Sequence, residues 1–171
     1  MNNWKPDKNW SDKFLPEIKS ILGSYLIGEP EPDEDAQRNT DLIVLKMEAV
    51  RIGCRIRRYK FLASYGEEFT IRSSRPSGMK TELAKIIEGW GDYFFYGFSN
   101  QEETCLAAYF LGDMNVFRLW FNSRIVRDKG CIPAINKANT DNSSGFYIFR
   151  VADLPANFII GRKLAARIGC K

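Results

Sequence analysis

Between Asp41 and Phe98 the hydropathy pattern switches repeatedly between strand and helix periods, and those switches limit the folds open to the chain. Asp41-Leu-Ile-Val-Leu is a short, uninterrupted apolar run, the pattern of a strand covered on both faces. Val50 to Arg58 alternates instead: Val50, Ile52, Cys54 and Ile56 point one way, and Arg51, Arg55 and Arg57 the other. Glu68-Phe-Thr-Ile-Arg72 alternates again, with Phe69 and Ile71 inward and Glu68, Thr70 and Arg72 opposite. After the turn sequence Ser73 to Gly78, Leu83, Ile86, Ile87 and Trp90 recur at helical spacing, so a helix is predicted over about 80–88, ended by Gly89 or Gly91. Asp92-Tyr-Phe-Phe-Tyr-Gly-Phe then reads as an aromatic strand.

The flanks extend the same alternation of elements. Ser11 is placed to cap a helix running to about Leu26, with Phe14, Leu15, Ile18, Ile21, Leu22 and Tyr25 on one face; Pro16 is tolerated in its first turn. Residues 28–39 are acidic and proline-bearing, a surface-loop composition. Thr104 to Leu111 is predicted to pair antiparallel with the aromatic strand across Ser-Asn-Gln-Glu-Glu. Asp113 or Asn115 caps a helix carrying Val116, Phe117, Trp120, Phe121 and Ile125. A polar loop over 128–144, a strand over 146–151 and a short helix or turn over 153–161 follow, then a basic tail over 162–171. The expectation is an α/β fold: a central mixed β-sheet flanked by helices, in a single domain over 1–171. The short links between its first three strands predict hairpin pairing there.

Composition removes whole classes of chemistry. Among 171 residues there is no histidine, which excludes Ser-His and Cys-His nucleophile systems and most zinc sites. Neither G-x-x-x-x-G-K-[ST] nor G-x-G-x-x-G occurs, so phosphate-loop and dinucleotide motifs are missing. The four cysteines are scattered without a C-x-x-C pair, and Cys54 and Cys105, inside apolar patterns, read as buried free thiols. No run approaches the ~20 apolar residues of a membrane span. With no apolar leader at the N-terminus, a cytoplasmic location is expected. The net charge of +4 permits a polyanionic partner without demanding one. The oligomeric state is not legible.

The chemistry left is that of carboxylates, lysine, arginine and hard cations. Two or three carboxylates from neighbouring strands, with a lysine, can hold Mg²⁺ and cut phosphodiesters without histidine. Asp41 at a strand entrance, Glu68 on a strand face and Glu17 on the preceding helix are the candidate ligands; Lys80 is the candidate charge-stabilising lysine. Arg55, Arg57, Arg72 and Lys85 are the candidate phosphate contacts. Each has a plainer reading as well: Asp41 as a strand-end cap, the arginine stripe as the solvated face of a half-exposed strand, Glu68 and Arg72 as ordinary charge pairs, and the lysines as a polar helix face.

The succession helix, three strands, helix, strand, with Glu17, Asp41 and Glu68 on it, resembles the core of the PD-(D/E)xK nuclease superfamily over about 11–98. Residues 99–161 form a C-terminal β-α-β extension to that core. The resemblance implies a restriction-endonuclease-like α-β-β-β-α-β core in which a helix glutamate precedes a strand aspartate and a (D/E)-x-K tripeptide. Glu17 and Asp41 match the first two positions. At the third, Arg55-Ile56-Arg57 lacks the acid and Glu68-Phe69-Thr70 lacks the lysine; some members supply the lysine or an acid from the following helix, which here offers Lys80, Glu82 and Lys85. The resemblance therefore implies Mg²⁺-dependent endonuclease action on DNA, with Asp41, Glu68 and Glu17 on the metal. Its alternative is a non-catalytic module of degenerate nuclease fold that binds nucleic acid or a protein. The stretch from Glu68 to Phe98 also looks like prophage or mobile-element proteins.

Overall fold

The computed structural model describes residues 4–28, 43–44, 50–139 and 144–164. The chain divides into two compact units, residues 1–49 and 50–171. In the first, α1 (Trp4–Asp12) and α2 (Leu15–Leu26) replace the single helix expected from Ser11. Pro16 explains the break: it has no N–H to donate to an earlier turn, so it starts a new helix and does not continue the old one. Phe14, at the join, is buried with Ile18, and its ring meets that of Trp10 edge-on at 5.3 Å. Two short strands, β1 (Ile27–Gly28) and β2 (Ile43–Val44), pair antiparallel. Asp41 lies outside the described residues.

The second unit holds two sheets and the larger core. Strands β3 (Ile52–Arg57), β5 (Tyr93–Ser99), β6 (Leu106–Asp113) and β9 (Ile159–Lys163) form a mixed sheet in the order β3-β5-β6-β9. Strand β3 runs parallel to β5, and the other pairs are antiparallel. Strands β4 (Glu68–Ser74), β8 (Gly145–Arg150) and β7 (Ile135–Ala138) form an antiparallel sheet in the order β4-β8-β7. The α/β expectation holds at this level, and the pairing of the Asp92–Phe98 strand with 106–113 is as expected.

Hairpin pairing between β3 and β4 is overturned. The link between them is no tight turn: it carries a 3-10 turn (Tyr59–Phe61) and the short helix α3 (Leu62–Tyr65). That excursion takes β4 into the other sheet, where it finds β8, so β3 pairs instead with the strand beyond the next helix, α4 (Glu82–Ile87). A strand that returns parallel needs such a crossover. Strand β7 also rises from what the sequence presents as polar loop, because an exposed edge strand of Ile-Asn-Lys-Ala needs only one paired side.

Phe69, the second residue of β4, is fully buried at the centre of the unit. Its ring stacks on Phe149 and Phe158 and meets Phe94, Tyr96, Phe110 and Phe117 at an angle. Offset and edge-on pairs of this kind contribute about 0.5–1.5 kcal/mol each beyond simple burial. Helix α5 (Met114–Arg127) supplies Met114, Phe117 and Phe121 to the same core. It begins where Asp113 Oδ1 accepts from the backbone N–H groups of Asn115 (2.7 Å) and Val116 (3.2 Å), the cap expected from the sequence. At Gly112 a β-carbon would lie 2.5 Å from the Phe158 ring, so only glycine lets that ring close the core.

The thiol expectation is corrected. Cys54, Cys105 and Cys131 are free and exposed. Cys54 sits on the face of β3 opposite the aromatic core, although enough protein surrounds its sulfur to push the thiol pKa up. Cys105 belongs to the turn before β6, where Asn100 Oδ1 accepts from the backbone N–H groups of Thr104 and Cys105. Among the described residues no helix is long and apolar enough to cross a membrane.

Candidate functional site

The parallel register between β3 and β5 decides where the arginine stripe goes. Arg55 lies opposite Tyr96 and Arg57 opposite Phe98, so both share the face of the sheet that carries the aromatic core. The reading of this stripe as a solvated face is therefore wrong for these two residues, which are half-buried. Alternation distinguishes two faces of a strand and cannot say which one is inside. Here the guanidinium face is inside because acceptors from distant segments meet it there.

Those acceptors are specific. Arg55 Nη1 donates to the Thr70 carbonyl (2.8 Å) and to Thr70 Oγ1 (3.0 Å), while Nη2 donates to Glu82 Oε2 at 2.6 Å. The same Glu82 oxygen accepts from the backbone N–H of Arg72 at 2.9 Å. Glu82 is the first residue of α4, whose cap is Thr81, so the carboxylate also sits at the positive end of the helix. One carboxylate thus ties β3, β4 and α4 together. Behind it, the buried Tyr96 hydroxyl lies 3.4 Å from Thr70 Oγ1 and 3.5 Å from Arg57 Nη1. Arg57 lays its guanidinium over Phe61, 4.4 Å from the ring centroid, and near Tyr65 at 5.6 Å.

Arg72 and Arg75 are in a different position. Both are half-buried, and neither side chain has an ion-pair partner among the described residues. Burial holds the Arg72 pKa below its ordinary value, and the positive charges of Arg75 and Arg55 lower it further, against a smaller opposing pull from Glu82. The guanidinium stays charged at any physiological pH. Arg75 Nε is buried with no hydrogen-bond partner among the described residues. Arg72 therefore has the guanidiniums of Arg55 and Arg75 and the carboxylate of Glu82 as its charged neighbours among the described residues.

The remaining candidates are dispersed. Glu68, at the start of β4, faces Arg150 across the β4–β8 register, with 3.7 Å between its carboxylate and Nε. With Glu67, Lys60, Arg162 and Lys163 it lines a groove of about 1070 Å³ whose floor includes Leu62, Phe98 and Phe110. Lys80 pairs with Glu88 at 2.6 Å, both well exposed. Lys85 is exposed on α4. Glu17 is half-buried on α2 in the first unit. Among the described residues no group of three His, Cys, Asp or Glu side chains converges. The structure brings Arg55 and Arg72 together and leaves Lys80 and Lys85 apart from them as exposed helix-side charges.

Glu82 was a candidate only as an acid supplied from the helix after the strands, and Arg75 was not a candidate. Glu82 carried one usable signal, an acid directly after a helix-capping threonine. Arg75 carried none, because Arg-Pro-Ser-Gly reads as a turn, and a turn it is: Gly78 N–H donates to the Arg75 carbonyl at 3.2 Å. Compared with protein-family models, with curated proteins and with solved structures, the chain matches none.

Proposed function

We propose that this protein binds DNA through its phosphodiester backbone, as a binding module of nuclease-like layout. The observation that carries the reading is the excess of guanidinium over carboxylate on the seam of Arg55, Arg72 and Arg75 around Glu82. Like charges crowded into a half-buried place are relieved by an anion, and guanidinium groups match phosphate oxygens through paired N–H donors. The nuclease-like layout is supported by the helix α2 that precedes the strands and by α4 in the crossover between the parallel strands β3 and β5. It departs from the expected core where β4 joins the second sheet.

A second reading, Mg²⁺-dependent cleavage with Asp41, Glu68 and Glu17 on the metal and Lys80 stabilising charge, is favoured by one observation. Glu67 and Glu68 stand beside Lys60, Arg162 and Lys163 on one groove, a mixture of acid and base suited to metal-assisted phosphate chemistry. Incubation of plasmid and branched DNA with Mg²⁺ or Mn²⁺ separates the two readings. The binding reading expects retention of DNA at low salt, steep loss as salt rises, and no cleavage. Cleavage that disappears in Asp41→Asn and Glu68→Gln would replace it with the nuclease reading, and no retention at low salt would end both.

A further inference from the structure

Beside Arg75 a cleft of about 480 Å³ opens between the end of β4 and the β7–β8 hairpin. Among the described residues its polar lining is Ser74, Arg75, Asn136, Lys137 and Ser144, closed by Gly145, with no acid among them. Its walls are joined at a point where only glycine fits. Gly145 N–H donates to Ser74 Oγ at 3.0 Å, and a β-carbon on Gly145 would lie 2.5 Å from that same oxygen. Because the Ser74 hydroxyl accepts there, its own proton is left to donate elsewhere. Ser144 is in the same state, since its buried hydroxyl accepts from Asn139 Nδ2 at 2.9 Å.

We propose that this cleft seats one phosphate group of a DNA backbone, with Arg75 and Lys137 as its charged contacts. The inference rests on the DNA-binding reading and gives that reading a place on the molecule. A phosphate presents acceptor oxygens in several directions and needs donors from several walls. Here Arg75 comes from one wall and Lys137 from the facing strand, with the Ser74 and Ser144 hydroxyls between them. Arg75 Nε is buried and has no hydrogen-bond acceptor among the described residues, so its guanidinium is not saturated by them. Arg72, next along the seam, adds charge that the neighbouring Glu82 offsets only in part. The volume exceeds that of a phosphate and admits the adjoining sugars. Lysine on an exposed edge strand also blocks unwanted strand pairing, a role that DNA affinity does not report.

The test is fluorescence anisotropy of a short labelled DNA, single-stranded and duplex, titrated across a salt series. Arg75→Gln and Lys137→Gln are each expected to weaken binding roughly 3–10-fold and to reduce the slope of log affinity against log salt by about one unit. Inorganic phosphate at constant ionic strength should compete with DNA on the wild-type protein and lose that effect in Lys137→Gln. If wild-type protein binds DNA and both variants bind as tightly, the cleft assignment is overturned and the DNA reading survives. If wild-type protein does not bind at low salt, both fall. Lys137 is exposed on β7, so that variant decides the matter even if Arg75→Gln does not fold.

Discussion

Arg55 and Arg75 both border Arg72, and their circumstances are opposite. Every direction of the Arg55 fork that meets the protein finds an acceptor: the Thr70 carbonyl, the Thr70 hydroxyl and the Glu82 carboxylate. Among the described residues Arg75 has a buried Nε with none and lines a cleft without acids. The same residue type ties strands and helix together at one end of the seam and has no ion-pair partner among the described residues at the other. The difference lies in where the acceptors are, since charge alone is equal at the two sites. An arginine already saturated by its own protein is a poor phosphate contact, because a phosphate would have to displace bonds that are made.

The largest expected effect that separates the two regions is at Glu82. Glu82→Ala strips Arg55 of its ion pair and leaves the Arg72 N–H without its acceptor. Each partner of the pair keeps 27% of its side-chain exposure, so the loss is discounted from that of a fully buried pair to about 2–3 kcal/mol. Urea unfolding should show this as a lower midpoint, while DNA affinity stays the same or rises because a negative charge has gone. A fall in affinity with intact fold would break the distinction. Next comes Arg55→Lys, which keeps the charge and loses the fork. About 1–2 kcal/mol of stability is expected to go, with little change in the salt slope of binding. Smallest is Lys80→Ala, which removes an exposed pair with Glu88 and should cost at most about 0.5 kcal/mol. A larger loss of stability or of DNA binding there would give Lys80 the role that its surroundings do not.

Much of the architecture was legible because it is local. The Asn100 turn, the Asp113 cap and the helix begun at Thr81 each follow from a few consecutive residues, and all form where expected. The split of the first helix at Pro16 was legible in principle, since proline favours a helix start more strongly than a continuation. The candidate site was legible only in part. Arg55 and Arg72 were singled out for their charge and do come together, but the residue that joins them, Glu82, contacts Arg55 across 27 positions of sequence. Arg75 and Lys137 meet on one cleft only because β4 pairs with β8 and β8 with β7.

What the sequence determined by itself was the inventory: strand and helix periods from Asp41 to Phe98, the caps and turns between them, and the exclusion of Ser-His and Cys-His nucleophile systems by the lack of histidine. Tertiary structure alone decided the pairing of β3 with β5 in place of β4, and with it the face of the stripe that turns inward. The physical reason is that alternation is symmetric. A strand of isoleucine and arginine can bury either side, and the choice falls to whichever distant segments bring acceptors for the guanidiniums. Thr70, Glu82 and Tyr96 do so for Arg55 and Arg57, while Arg75 Nε finds no acceptor among the described residues.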